Sequence, residues 1–124
     1  MEIEGKLVSG THEGSYFMSL DFYQSQFLHK LGFRPYPGTL NLEISATNAK
    51  KILNISNKIG IIKGKGQFGD VKFIPATLNH KLEGAIIFPV KTHHPSEILE
   101  FVSPQNLREA LKLKNGDLIT ININ

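Results

Sequence analysis

Arg34-Pro35-Tyr36-Pro37-Gly38-Thr39-Leu40-Asn41-Leu42 sets the reading of this chain. Two prolines and a glycine fix a stiff turn, and a polar/apolar alternation begins directly behind it. Period two belongs to a strand with one buried face, so Leu40 and Leu42 point one way and Thr39 and Asn41 the other. Outward from this stretch, the same alternation between turn residues and short apolar runs recurs. Strands are read at Glu4 to Val8, Tyr16 to Leu20, Thr39 to Ile44, Asp70 to Leu78, Leu82 to Pro89, Glu97 to Val102 and Asp117 to Ile123. Asn79-His80-Lys81 turns into one of them, and Asn115-Gly116, a strong hairpin-type signal, introduces the last.

Helical spacing is confined to a few segments. Tyr23, Phe27, Leu28 and Leu31 form a stripe that predicts an amphipathic helix from Phe22 to Leu31, with Asp21 as its cap and Gly32 as its stop. Ala46 to Leu53 is compatible with a short helix, and Asn54 to Lys58 is ambiguous. Pro104 to Leu111 reads as a helix with Pro104 in its first turn. Strand–helix crossovers do not repeat, so the class is mainly β, a closed or nearly closed small barrel with short inserted helices. Glu4-Gly5-Lys6-Leu7-Val8 resembles Glu83-Gly84-Ala85-Ile86-Ile87, and Gly38-Thr39-Leu40 resembles Gly116-Asp117-Leu118. A barrel of two related halves produces such echoes, and so does chance.

At 124 residues the chain is read as one domain, 1–124, with a hydrophobic core. Its 40% hydrophobic and 20% charged residues exclude a disordered chain. The longest apolar run, Ala85-Ile86-Ile87-Phe88, is strand-sized and too short to cross a bilayer as a helix. Met1-Glu2-Ile3-Glu4 lacks the basic start and apolar run of a signal peptide, so a cytoplasmic location is expected. The sequence has no Cys, which excludes disulfides, thiolate metal sites and cysteine catalysis. The net charge of +3 suits an anionic ligand but is too small to argue for nucleic acid, and no membrane partner is expected. The oligomeric state is not legible, and a monomer is favoured.

Four stretches carry chemistry-bearing side chains. In Gly10-Thr11-His12-Glu13-Gly14-Ser15-Tyr16, glycines let backbone amides turn toward an anion. This is neither a Walker loop nor a dinucleotide fingerprint, and from the residues alone a plain hairpin loop is the better reading. Gly64-Lys65-Gly66 reads better as a surface loop than as a phosphate cradle. Thr39 and Asn41 offer neutral oxygens that suit Mg²⁺ once phosphate and water oxygens complete its shell, and they suit an ordinary strand start as well. In Thr92-His93-His94-Pro95-Ser96-Glu97-Ile98-Leu99-Glu100, the His and Glu spacing does not match a zinc helix. On a strand, Glu100 shares a face with Ile98 and Val102, which places a carboxylate in apolar company, at a pocket or its mouth. Such a group accepts a proton from a hydroxyl or binds donors. Arg108 is suited to phosphate, or to a surface ion pair.

Taken in order, Gly10-Thr11-His12-Glu13-Gly14-Ser15-Tyr16-Phe17, Pro35 to Leu42, Thr92 to Glu100, Pro104-Gln105-Asn106-Leu107-Arg108 and Asn115-Gly116-Asp117-Leu118-Ile119 resemble the archaeal CTP-dependent riboflavin kinases. The resemblance covers nearly the whole chain and is to the short form, without the helix-turn-helix domain of longer members. It implies a six-stranded cradle-loop barrel. It also implies phosphoryl transfer from CTP to the riboflavin 5′-hydroxyl, giving FMN and CDP. By the same resemblance His12, Glu13, Gly14, Ser15, Tyr16 and Phe17 hold the nucleotide, with Gln105, Asn106, Leu107 and Arg108 completing that site. Thr39 and Asn41 are the implied Mg²⁺ ligands, and Thr92 and Glu100 contact the flavin. Glu100 is the candidate general base. His12 stands where relatives often have Gly. Three other functions compete: a non-catalytic flavin- or nucleotide-binding barrel, a small nucleic-acid-binding barrel, and a structural or toxin–antitoxin-like barrel, which would not need the histidine and acid segment. The second wants basic and aromatic residues along one face, whereas here the basic residues are scattered.

Overall fold

The computed structural model describes residues 1–9, 18–55, 59–89 and 97–123. Within them, β1 (Glu2–Val8), β2 (Leu40–Glu43), β3 (Gly60–Ile62), β4 (Val71–Leu78), β5 (Leu82–Pro89), β6 (Ile98–Val102) and β7 (Leu118–Asn122) form one antiparallel sheet. Its order is β3-β4-β5-β6-β2-β1-β7, and β4 pairs back onto β7. The ring β4-β5-β6-β2-β1-β7 is therefore a closed six-stranded barrel, and β3 adds to the free edge of β4. Closure removes the exposed sheet edges that a small open sheet would present. Helices α1 (Asp21–Leu31), α2 (Ala46–Leu53) and α3 (Leu107–Ala110) sit between strands. Among the described residues no helix is long and apolar enough to cross a membrane.

The connectivity has an internal two-fold relation. Leu7 faces Leu42 as Ile86 faces Phe101, and Val8 faces Asn41 as Ile87 faces Glu100. Gly5 and Gly84 are equivalent, and both are pressed by the neighbouring strand. A Cβ on Gly5 would lie 2.8 Å from Leu42 Cβ, and one on Gly84 2.2 Å from the Val102 carbonyl oxygen. The first sequence echo thus falls on equivalent strands, β1 and β5. The second joins β2 to β7, which this symmetry does not relate.

Alternation decides what faces the barrel interior. Ile3 and Leu7 on β1, Leu40 and Leu42 on β2, and Ile119 and Ile121 on β7 are buried in the main core with Ile74, Leu78, Ile86 and Phe101. A second cluster lies outside the barrel, where α1 covers β4, β5 and β6. Tyr23 and Phe27 of α1 pack there with Phe73, Ala85, Ile87 and Val102. Burying this outer face explains why Val102 is fully buried although it alternates with Phe101.

Several local expectations change. Met18 and Ser19 are helical, so the described part of the Tyr16–Leu20 strand is absent. Leu20 occupies the N-cap position of α1 without a side-chain cap, and Asp21 is instead the first helical residue. Leu28 is 42% exposed, and Gln24 takes its place on the buried face. The stop is as read: Gly32 adopts φ +83°, the left-handed conformation that glycine reaches without strain. Helix α3 begins only after Asn106, whose Oδ1 accepts from the Glu109 amide at 3.3 Å, so Pro104 precedes the helix. The Asn115-Gly116 turn is not a hairpin between neighbouring strands. It docks on β1, with the Gly116 amide donating to the Leu7 carbonyl at 2.7 Å. The tight hairpin is β4–β5, where Asn79 and His80 both take positive φ, the turn that matches strand twist.

Candidate active site

β2 and β6 pair so that Asn41 lies directly opposite Glu100. Their flanking partners Leu40, Leu42, Leu99 and Phe101 are buried inside the barrel, so Asn41 and Glu100 share the outer face, half-buried. Under the internal two-fold they are each other's equivalents, an amide in one half against a carboxylate in the other. Thr39, just ahead of β2, donates its hydroxyl to Glu100 Oε1 at 3.0 Å. Three oxygen-bearing side chains therefore meet at one point. Sequence alone gave Thr39 and Asn41 no accompanying carboxylate, and the β2–β6 register corrects this.

The turn that carries Thr39 is held from three sides. The Tyr36 amide donates to the Ser103 carbonyl at 2.7 Å. Gln24, a buried side chain of α1, donates from Nε2 to the carbonyls of Pro35 and Met18. Asn106 Nδ2 donates to the Tyr36 hydroxyl at 3.2 Å. A buried amide with two acceptors fixes backbone position at little entropic cost, because its rotamer is locked by the helix around it.

Two unlike crevices flank this point. The first, about 470 Å³, is polar and lined by Ser9, Tyr36, Asn41, Gln105, Asn106 and Arg108, among others. Arg108 is its only charged side chain among the described residues. The second, about 250 Å³, is mostly apolar, lined by Met18, Tyr23, Phe68, Val71, Ile87 and Phe88 together with two carboxylates, Asp70 and Glu100. Thr39 lines both. Tyr23 donates its hydroxyl to the Gly69 carbonyl at 2.6 Å. Burial, and secondarily the Asp70 carboxylate, push the Tyr23 phenol above its ordinary range. Among the described residues no group of three or more His, Asp or Glu is placed to hold a metal.

Comparison with known proteins names the frame. The family model CTP-dep_RFKase, described as "Domain of unknown function DUF120", matches residues 7–123. A riboflavin kinase of Methanothermobacter thermautotrophicus is 48% identical over 115 residues, covering 93% of each chain. One of Methanosphaera stadtmanae is 43% identical over 99% of this chain and 98% of its own. One of Archaeoglobus fulgidus is 43% identical over 99% of this chain but only 54% of its own length. The chain belongs to the CTP-dependent riboflavin kinase family. The short form is the one whose length it shares.

For a member of this family, the sequence-read residues distribute unevenly. Thr39, Asn41 and Glu100 come together. Gln105, Asn106 and Arg108 line the polar crevice together with Tyr36. Leu107 packs into the barrel core and also borders that crevice. His12, Glu13, Gly14, Ser15, Tyr16, Phe17 and Thr92 lie outside the described residues, as do His93 and His94. Sequence reasoning missed the apolar crevice altogether. Phe68 sits in the glycine-rich connection, and its ring reaches within 5.8 Å of the Phe22 ring. An aromatic inside a glycine-rich loop was the available signal. Gln24 gave none, since a Gln on a short helix is ordinarily solvated.

Proposed function

We propose that this chain transfers the γ-phosphoryl group of CTP to the 5′-hydroxyl of riboflavin, giving FMN and CDP. The observation that carries this reading is the Thr39–Glu100 pair standing between a polar and an apolar crevice. A nucleotide with its phosphates suits the polar side, where hydroxyls, amides and the Arg108 guanidinium line the surface. A flat isoalloxazine ring suits the apolar side, where Tyr23, Phe68 and Phe88 supply aromatic contact. Thr92 and Glu100 are the flavin contacts in this reading. His12 to Phe17 and Gln105 to Arg108 are the nucleotide contacts.

Phosphoryl transfer asks a protein mainly for positioning and charge compensation. Glu100 accepts the proton of the 5′-hydroxyl. That oxygen bonds to the γ-phosphorus, the bond from phosphorus to the β–γ bridging oxygen breaks, and CDP leaves with that electron pair. Thr39 holds Glu100 through the 3.0 Å hydrogen bond and so fixes where the carboxylate stands. The residues present fit Mg²⁺: two neutral oxygen side chains, Thr39 and Asn41, beside one carboxylate make a hard-oxygen set that phosphate oxygens would complete. Bound there, the ion would neutralise charge on the transferring phosphates. The whole chain acts as one domain, in the cytoplasm and as a monomer.

The test is to incubate the protein with riboflavin and Mg²⁺ and with CTP, ATP, GTP or UTP separately, and to measure FMN. FMN from CTP is expected. FMN from ATP with none from CTP would overturn the donor, and no FMN at all would overturn the reading.

A further inference from the structure

The Asn115-Gly116 turn has no role in the chemistry above, yet the Asn115 side chain bonds to two residues that line the polar crevice, Arg108 and Ser9. Asn115 Oδ1 accepts from Arg108 Nη2 at 3.0 Å, and Asn115 Nδ2 donates to Ser9 Oγ at 2.7 Å. The same Arg108 nitrogen donates to the Val8 carbonyl at 3.2 Å. The turn itself is fixed: the Asp117 amide donates to the Lys114 carbonyl, Asp117 Oδ2 accepts from the Lys114 amide at 2.8 Å, and the Leu7 amide donates to the Asp117 carbonyl at 2.8 Å. Val8 and Ser9 close the end of β1, and Ser9 and Arg108 both line the crevice.

We infer that Asn115 is a positioning residue for the nucleotide: with Arg108 it forms a brace that sets the end of β1, and hence one side of the polar crevice, while fixing the guanidinium that faces the phosphates. A guanidinium has five donors in a rigid fork. Arg108 uses one nitrogen on Val8 and Asn115, and its other guanidinium nitrogens make no hydrogen bond among the described residues. One edge of the fork is thereby anchored, and because Arg108 lines the crevice its remaining donors are available to a ligand there. Asn115 is suited to this because its amide both accepts from Arg108 and donates to Ser9. Aspartate keeps the first bond and loses the second, and alanine loses both.

This inference rests on the polar crevice being the CTP side. The experiment measures initial rates of FMN formation in N115A, N115D, R108K and the N115A/R108K double variant of the full chain, varying CTP and riboflavin separately. The expected result for N115A is a rise in KM for CTP of about fivefold, the size of one to two lost hydrogen bonds, with kcat and the riboflavin KM within about twofold. N115D should fall between N115A and the unaltered protein. In the double variant the effects should combine to less than their product, because both act through one network. An unchanged CTP KM in N115A would overturn the inference. So would a loss shared equally by both substrates and accompanied by a lowered Tm, which marks a merely structural role. Hydrogen exchange at the Gly116 amide, which donates to the Leu7 carbonyl beside the brace, should be faster in N115A and R108K than in the unaltered protein and reads the brace without catalysis. If the unaltered protein makes no FMN, the functional reading fails, and exchange at Gly116 alone decides the brace, unchanged protection overturning it.

Discussion

The two crevices beside Thr39 differ in almost every respect. One is polar, built from the end of β1, the Pro35–Gly38 turn and the segment into α3. The other is apolar, built from α1, the glycine-rich connection and the outer face of β4 and β5. They share Thr39, with Asn41 on one side and Glu100 on the other. The difference teaches how one small barrel handles two dissimilar substrates. It does not enlarge its interior, which is filled by Leu42, Ile74, Ile86, Phe101 and their neighbours. Instead it uses the outside of the β2–β6 seam, and lets separate loops dress the two sides.

The comparison breaks first at the seam. Glu100→Gln should lower kcat by about 10²- to 10⁴-fold, the usual contribution of a general base, while nucleotide affinity stays within about twofold. Turnover equal to that of the unaltered protein would remove the base assignment. Asn41→Ala should come next, raising the Mg²⁺ concentration needed for half-maximal rate without changing the riboflavin KM. An unchanged magnesium titration would count against ligation. On the apolar side, Phe68→Ala should raise the riboflavin KM by roughly five- to tenfold, in line with the loss of about 1 kcal/mol of aromatic contact, and leave the CTP KM alone. A shift in the CTP KM instead would merge the two crevices into one site.

The smallest effect concerns pH. The Tyr23 phenol is raised above its ordinary value of 10.0, first by burial and then by the Asp70 carboxylate. The folded protein therefore keeps a proton that the unfolded chain releases, and stability falls as pH climbs above about 10. Tyr23→Phe should flatten that alkaline fall in Tm. It should also cost about 1 kcal/mol at neutral pH, for the lost bond to Gly69. An identical alkaline profile in both proteins would show that Tyr23 does not carry the effect.

Much of the fold was legible because period two is a local signal. Ile3, Gly5 and Leu7, or Leu40 and Leu42, declare their buried face within one strand. The β3 strand was not legible, since Gly60-Ile61-Ile62 is too short to show a period. The extent of α3 was misjudged because Leu107 and Leu111 have helical spacing, yet the Asn106 cap starts the helix later. At the site, order and spacing of motifs pointed to Thr39, Asn41 and Glu100 separately. Their meeting depends on the β2–β6 register, a contact between residues 61 apart for Thr39 and Glu100, and no local pattern encodes it. Gln24 and Asn115 were illegible for the same reason: an amide reads as a surface residue until its distant partners are placed.

In the proposed reaction, nucleotide and flavin occupy opposite sides of Thr39 and Glu100. Amide chemical-shift mapping of the labelled protein tests it most directly, with CDP and riboflavin added separately. CDP should move the signals of Ser9, Tyr36, Gln105 and Arg108 and spare Phe68 and Val71, riboflavin should do the reverse, and Thr39 should respond to both. Both ligands moving one common set of signals would contradict it.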